Sequence, residues 1–166
     1  MASKSKRKGS AFENDISKML NTTFDTEQFA RTPGSGAWMG RSNSAKKSGV
    51  AQEAQDTLRG DLITPKEFPY IIECKNYEDS PAYHKIIQGP DAKLDGWLKE
   101  VEFDADEAGL EPMLWFKTTR KGSFVAVKSK VVADVDFEYV LKYRDYTIVS
   151  LDTFKTHSTS YWNQNK

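Results

Sequence analysis

The run YIIECK at residues 70–75 constrains the fold of this chain more than any other segment. Its apolar and β-branched start predicts a buried strand. Since side chains alternate along a strand, Glu73 and Lys75 are expected on one face, with Cys74 on the other. Ionisable residues at the end of a buried strand are unfavourable unless function requires them. The segment therefore predicts a site at which an acid and an amine face the same space.

The segment before this strand supplies a second carboxylate. Residues 60–63, GDLI, predict another strand, and residues 66–69 predict a turn, so the two strands are expected to form a hairpin. Asp61 would then lie beside Glu73. Two carboxylates and the Cys74 carbonyl make an oxygen-rich site suited to Mg²⁺, with Mn²⁺ as the alternative ion. Asp56 competes with Asp61 for this role, although no strand-like run surrounds it.

A magnesium site of this type suits phosphodiester hydrolysis. The metal would activate a water molecule and neutralise charge on the phosphate, while Lys75 would orient that water or stabilise the transition state. The alternative interpretation is an ordinary strand on which Glu73 and Lys75 pair on a solvated face.

Helical periodicity marks two further regions. Apolar residues at 12, 16, 19 and 20 predict a helix from Ala11, for which Ser10 and Glu13 form a capping box. Residues 1–10 are basic and Ser-rich, and they predict a flexible basic arm. A second helical region is expected over residues 82–101, interrupted at Gly89-Pro90 because proline removes a helix hydrogen bond.

Short apolar runs predict the remaining strands, which are Phe29–Arg31, Met113–Phe116, Phe124–Val127, Phe137–Leu141 and Tyr146–Leu151. The runs on either side of residues 117–123 predict a hairpin. Residues 156–166 are expected to form a polar tail.

Composition and charge limit the class of protein. Cys74 is the only cysteine, which excludes an intrachain disulfide and a zinc site built on several thiolates, and a reducing, cytoplasmic setting is expected. The apolar run of a signal peptide is missing, and so is a membrane span. Residues 1–60 hold ten basic and six acidic side chains, residues 61–116 hold five and thirteen, and residues 117–166 hold nine and five. An acidic middle between basic ends fits a cation site flanked by phosphate-binding segments, or equally solvated helix faces.

The order of these motifs resembles the PD-(D/E)XK nuclease superfamily, with Asp61 as the motif aspartate and Glu73-Cys74-Lys75 as the Glu-x-Lys element. Within that superfamily the chain is most similar to the archaeal-type Holliday-junction resolvases. Their pattern is a glutamate on a first helix, an Arg-x-Pro-x-Ser-Gly-like turn, an aspartate and then Glu-Cys-Lys. The matching residues here are Glu13, RTPGSG at residues 31–36, Asp61 and residues 73–75.

The resemblance implies an α/β restriction-endonuclease-like fold, a mixed central β-sheet flanked by helices. It also implies a Mg-dependent endodeoxyribonuclease that makes paired nicks in four-way junctions as a homodimer, whose interface would draw on Trp115 or the carboxy-terminal segment. Glu13 would be an additional acidic active-site residue. Arg31 and Ser35 would contact the DNA backbone, and Gln88 matches a glutamine on the helix after the core strands.

The nuclease domain is expected over residues 11–155, and residues 37–59 form a longer polar insertion than compact resolvases contain. No counterpart is evident beyond about residue 131. Further DNA contacts are expected from basic residues of the insertion and of the hairpin tip, which are Arg41, Lys46, Lys47, Arg120 and Lys121. Trp38 is a candidate for base stacking, although packing explains it as well.

Alternative explanations remain for single residues and for the whole chain. Glu13 also completes a capping box, and a plain glycine turn also explains Arg31 and Ser35. The alternative functions are another PD-(D/E)XK nuclease acting on branched, nicked or duplex DNA in repair or restriction, and a DNA-binding module without catalytic activity.

Overall fold

The computed structural model describes residues 4–33, 59–79 and 81–163. Its helices are α1 (Lys4–Thr23), α2 (Tyr83–Gln88), α3 (Ala92–Ala108), α4 (Leu151–Thr156) and α5 (Ser158–Tyr161). Its strands are β1 (Ala30–Arg31), β2 (Leu62–Ile63), β3 (Tyr70–Tyr77), β4 (Glu111–Thr118), β5 (Gly122–Lys128), β6 (Leu141–Tyr143) and β7 (Tyr146–Ser150). A short 3-10 helix, Ser129–Val132, follows β5.

A five-stranded mixed sheet with the order β3-β4-β5-β7-β6 forms the centre of the molecule. β3 and β4 are parallel, and the other neighbours are antiparallel. Parallel neighbours require a crossover connection, which α2 and α3 provide. In this order β3 is an edge strand, and that position determines how the site is assembled.

Each face of the sheet is covered by helices because its strands are apolar on both sides. On one face, Phe12, Ile16 and Leu20 of α1 pack in the cluster that contains Ile72 of β3 and Trp115 of β4. On the other face, buried residues of α3 pack against the side chains of β3, β4 and β5 that point the opposite way. The α/β architecture with a mixed central sheet flanked by helices confirms the predicted fold.

Two sequence-based boundaries are wrong at the chain ends. α1 begins at Lys4, so Ser10 lies inside the helix and is not its N-cap, and residues 4–10 are helical where a flexible arm was predicted. At the other end, residues 151–161 form α4 and α5, and Tyr161 is buried. The predicted polar tail therefore holds part of the core.

The strand predictions have mixed outcomes. β4 and β5 form the predicted hairpin, and the helical region is interrupted at Gly89-Pro90, after which the Asp91 side chain caps α3. The predicted hairpin of β2 with β3 is wrong, because β2 pairs antiparallel with β1. The predicted strand at residues 137–141 is also wrong, since β6 begins at Leu141.

Two further expectations concern the dimer interface and a membrane span. Trp115 is fully buried, so it cannot contribute to a dimer interface. Within the described ranges, no helix is both long enough and apolar enough to cross a bilayer.

Candidate active site

Glu73 and Lys75 lie side by side on the face of β3 that is covered by α3. Their Oε1 and Nζ atoms are 2.7 Å apart, and the Lys75 Nζ is also 2.7 Å from Oε2 of Glu100 on α3. The side chains of Glu73 and Lys75 are each about one-sixth exposed, at 16% and 17%. The predicted shared orientation of these two residues is therefore observed, and the pair remains accessible from solvent.

Asp61 reaches the site along the free edge of β3. Its backbone N–H donates to the Ile72 carbonyl at 2.8 Å, and its Oδ2 accepts from the Cys74 N–H, also at 2.8 Å. An edge strand has backbone groups with no neighbouring strand, and Asp61 satisfies two of those on β3. The contact that was predicted from a hairpin is thus made by a single residue that precedes β2.

A glycine turn makes this approach sterically feasible. Gly60 has a φ of +70°, and a Cβ atom built on it would lie 2.6 Å from the Ile72 carbonyl oxygen. Both the left-handed backbone and the close contact exclude a side chain at this position. Gly60 is therefore what brings the Asp61 backbone against the edge of β3.

Glu13 and Arg31 form an ion pair beside the same strand. The Arg31 Nε donates to Oε2 of Glu13, which is buried on α1. β1 places Arg31 opposite Leu62, and the Thr32 N–H donates to the Asp61 carbonyl at 2.9 Å. The short β1–β2 pairing thus joins the predicted first-helix glutamate and the predicted arginine to the segment that holds Asp61.

The electrostatics of the site are dominated by buried negative charge. Burial, followed by the negative charge of Asp61, raises the pKa of Glu73 to about 8 against the opposing effect of Lys75. Burial also raises the pKa of the Cys74 thiol, and the charges of Asp61, Glu73 and Glu13 raise it further. Three acidic groups therefore surround the middle of β3.

Lys75 remains a cation at neutral pH. Burial disfavours its ammonium form, but attraction to Glu73 and hydrogen bonds to Glu100 and Glu73 outweigh burial and raise its pKa. An ammonium group donates hydrogen bonds and neutralises anionic charge, whereas it cannot accept a proton. Lys75 is thus suited to stabilising a phosphate and unsuited to acting as a general base.

The donor atoms at the site are those that a hard divalent cation prefers. Asp61 and Glu73 contribute carboxylates, and the negative charge of Asp61 adds to burial in raising the pKa of Glu73. The part of the chain that the structure describes contains no group of three or more His, Cys, Asp or Glu side chains arranged around a metal position. A metal held here would rest on two carboxylates and on a backbone carbonyl such as that of Cys74.

The other predicted DNA-binding residues are dispersed. Gln88 is exposed at the end of α2, and Arg120 and Lys121 are exposed in the turn between β4 and β5. The Lys121 N–H donates to the Thr118 carbonyl at 2.9 Å, so this segment is the predicted hairpin tip. Ser35, Arg41, Lys46 and Lys47 lie outside the described residues, as do Trp38 and Asp56.

Sequence reasoning missed two contributors to the site. Glu100 binds Lys75 from α3, 25 positions further along the chain, and no local motif marks it. Lys8 on the first turns of α1 donates to the Thr119 hydroxyl at 3.1 Å, while its carbonyl accepts from the Asn76 amide at 3.2 Å. Recognition that α1 begins at Lys4 would have been the signal for Lys8, because Lys8 then lies on the same helix as Glu13, five residues before it.

Comparison with known families gave a match over most of the chain. The family model described as "Phage putative PDDEXK endonuclease" matches residues 4–164. The match includes all the described residues of the site. Searches of curated proteins and of solved structures returned no match.

Proposed function

Because the chain belongs to this phage PD-(D/E)XK endonuclease family, we propose that it is a divalent-metal-dependent DNA endonuclease whose site consists of Asp61, Glu73, Lys75 and Glu13. The family confirms the predicted superfamily and the nuclease class. The observation that supports the assignment of residues is that Asp61 binds the backbone of β3 on both sides of Glu73, whose carboxylate lies 2.7 Å from the Lys75 ammonium.

The residues of the site have two roles, which are binding of the metal and binding of the phosphate. Asp61 and Glu73, with the Cys74 carbonyl, would hold Mg²⁺ or Mn²⁺, which supplies Lewis-acid activation of water and neutralises charge on the phosphate. Lys75 donates hydrogen bonds to the phosphate oxygens as negative charge increases in the transition state. Glu100 keeps Lys75 on the α3 face of β3 in the absence of substrate.

Glu13 and Arg31 act at the opposite side of β3. Their ion pair holds the Arg31 guanidinium beside the segment of Asp61. A guanidinium held in this way is oriented for a bidentate contact with a phosphate. When Arg31 binds the phosphate, its ion pair with Glu13 is broken and Glu13 can face the metal site. This arrangement supports the predicted roles of Arg31 as a contact to the DNA backbone and of Glu13 as an additional acidic active-site residue.

Cleavage assays on four variants test the assignment. We expect the wild type to cut DNA with Mg²⁺ or Mn²⁺ and not with EDTA. Asp61→Asn and Glu73→Gln should abolish cutting, and Lys75→Met should lower kcat by about 10²–10³-fold. Glu67→Gln, an exposed substitution in the turn before β3, is the matched control and should cut normally. Full activity of Glu73→Gln would refute the site.

We further propose a four-way junction as the preferred substrate. The reason is that Glu13, Arg31, Asp61 and residues 73–75 follow one another along the chain in the order that is typical of the archaeal-type Holliday-junction resolvases. Paired nicks require two active sites, so this substrate implies a homodimer. The test is cleavage of a synthetic four-way junction beside a linear duplex of the same sequence, with the molecular mass measured by light scattering.

Symmetric nicks in the junction alone, from a dimer, would support resolution of junctions. Equal cutting of junction and duplex would reject the junction preference and retain the endonuclease. Tight binding without any cutting would reject both in favour of a DNA-binding module.

A further inference from the structure

An open groove runs from Lys75 along α3. It has a volume of about 470 Å³ and lies between the end of β3 and the first half of α3. Lys75 and Glu100 stand at one side, and Tyr77 and Trp97 form an aromatic wall. Since Lys75 contacts the cleaved phosphate in the proposed function, a groove that begins at this residue borders the path of the substrate strand.

The positive charges of α3 are concentrated in this groove. The helix contains six acidic residues and only two lysines, Lys93 and Lys99, and both lysines line the groove. Acidic residues elsewhere on the helix are paired, such as Asp95 with Arg144 and Glu107 with Arg59. Neither lysine forms an ion pair with any described residue, so their charges are available to a ligand.

An aromatic pair holds one of these lysines in place without neutralising it. The Lys93 Nζ lies 4.3 Å from the centroid of the Tyr77 ring, and that ring lies 4.9 Å from the ring of Trp97 at an interplanar angle of 31°. A cation–π contact orients an ammonium group and leaves its net charge intact. Lys93 is therefore a preoriented cation on the wall of the groove.

Gly96 keeps the middle of the groove open. It is an exposed residue in the interior of α3, and a Cβ atom added to it would meet no atom within 4 Å. Glycine is unfavourable inside a helix, and at this position neither packing nor a left-handed φ requires it. It lies between Lys93 and Lys99 along the helix, where the absence of a side chain lets a ligand approach the backbone closely.

We propose that this groove binds the sugar–phosphate backbone of one DNA strand next to the cleaved phosphate, with Lys93 and Lys99 contacting phosphates across the space left by Gly96. The six residues from Lys93 to Lys99 rise about 9 Å along the helix, which corresponds to about two or three nucleotides at 3.4 Å per strand position. The position of the cleaved phosphate at Lys75 rests on the proposed function, whereas binding in the groove is measurable without cleavage.

The first experiment removes the two charges. Binding of a fluorescein-labelled duplex and of a labelled four-way junction is measured by anisotropy at several salt concentrations in EDTA. Lys93→Gln/Lys99→Gln should weaken binding at least tenfold at low salt and reduce the slope of log K against log salt by about two. Lys18→Gln/Lys155→Gln removes two exposed lysines from α1 and α4 and should bind as the wild type does.

The second experiment fills the groove without removing charge. Gly96→Leu should raise the Kd and the KM severalfold at an unchanged kcat, and Gly96→Ala, which adds a single methyl group, should raise them less. Both substitutions improve the helix propensity, so a loss of binding in the leucine variant cannot arise from unfolding. Thermal unfolding of both variants checks this point.

The outcomes separate the groove from the endonuclease. If the wild type cuts DNA and the groove variants match their controls, the groove proposal is overturned and the endonuclease stands. If the wild type binds without cutting and the groove variants bind more weakly, the groove is supported and the proposed function fails. Absence of any binding by the wild type overturns both.

Discussion

At the residue scale, the candidate site is a balance of opposed charges in a partly buried space. Glu73 is disfavoured as an anion by burial and by Asp61, while Lys75 is held as a cation by Glu73 and Glu100. Buried carboxylates that repel each other destabilise the folded protein unless a cation lies between them. The free energy of unfolding should therefore depend on the charge state of the carboxylates at the site.

We expect the wild type to lose stability between pH 4.5 and pH 8 because of Glu73. Its pKa is 4.5 in the unfolded reference and about 8 in the folded protein. Between these two pH values the folded state holds a proton on Glu73 that the unfolded state has lost. The stabilising contribution of Glu73 is therefore fully present below pH 4.5 and is lost as the pH rises through 8. Glu73→Gln lacks this titration, so its unfolding midpoint in EDTA should rise relative to wild type with increasing pH.

Urea unfolding at about pH 5, 7 and 9 measures this difference. The exposed Glu67→Gln variant controls for the general effect of removing a carboxyl. A constant difference between Glu73→Gln and wild type across the range would show that Glu73 has an ordinary pKa.

Metal binding should release a proton from Glu73. A divalent cation requires the carboxylate, so below pH 8 binding displaces the proton and affinity should fall by up to about tenfold per pH unit. Calorimetry with Mn²⁺ in buffers of different ionisation enthalpy detects this proton at about pH 6, and none should be detected at about pH 9. Metal binding without proton release at the lower pH would place the ion elsewhere.

At the element scale, the free edge of β3 organises the site. β3 presents Glu73 and Lys75 to α3, and its edge receives Asp61 through two backbone hydrogen bonds. The two-residue pairing of β1 with β2 then connects this edge to α1. A short irregular segment is thus as important to the geometry as the long strand beside it.

Gly60→Ala should be far more damaging than an alanine at another left-handed glycine. At Gly60 the new Cβ would lie 2.6 Å from the Ile72 carbonyl, whereas at Gly109, with a φ of +66°, it would meet no atom within 4 Å. We expect Gly109→Ala to lower the free energy of unfolding by about 1 kcal/mol and Gly60→Ala to lower it by about 2 kcal/mol or more. Cleavage should be lost only in Gly60→Ala, because the clash displaces Asp61.

Denaturant unfolding and cleavage assays on the two variants measure these effects. Equal stability losses with cleavage retained in both would show that Asp61 does not depend on this turn.

At the scale of the whole molecule, the carboxy-terminal helices complete the layer that contains α1. The Trp162 ring, which follows α5, lies 5.2 Å from the rings of both Phe24 and Phe68. Phe154 of α4 is fully buried and contacts Trp115 of the central sheet at 4.9 Å. The end of the chain therefore packs against α1 and the central sheet, which together support the site.

Trp162→Ala should lower the free energy of unfolding by about 2 kcal/mol or more, because it removes a large aromatic group from a cluster with Phe24, Phe29 and Phe68. Tyr139→Ala is the matched aromatic control, since Tyr139 is 74% exposed and its loss should change stability by less than about 0.5 kcal/mol. Guanidinium unfolding measures both. Similar stabilities of the two variants would mean that the end of the chain is dispensable to the fold.

Local patterns in the sequence were sufficient for several elements and for half of the site. The alternation in residues 70–75 correctly predicts that Glu73 and Lys75 share a face, and Gly89-Pro90 correctly predicts the break before α3. The hairpin of β4 and β5 was also predicted, since its strands are close in sequence. In each case the determining interactions lie within a few residues.

Only the tertiary structure decides how Asp61, Glu100 and Arg31 come to lie beside β3. Asp61 binds an edge of β3 that exists only because β3 ends the sheet, and Glu100 arrives from the crossover helix. The two-residue strands β1 and β2 are too short for a sequence pattern to identify their partner. Local periodicity therefore determines which residues face together, whereas the choice among distant partners depends on packing of the whole chain.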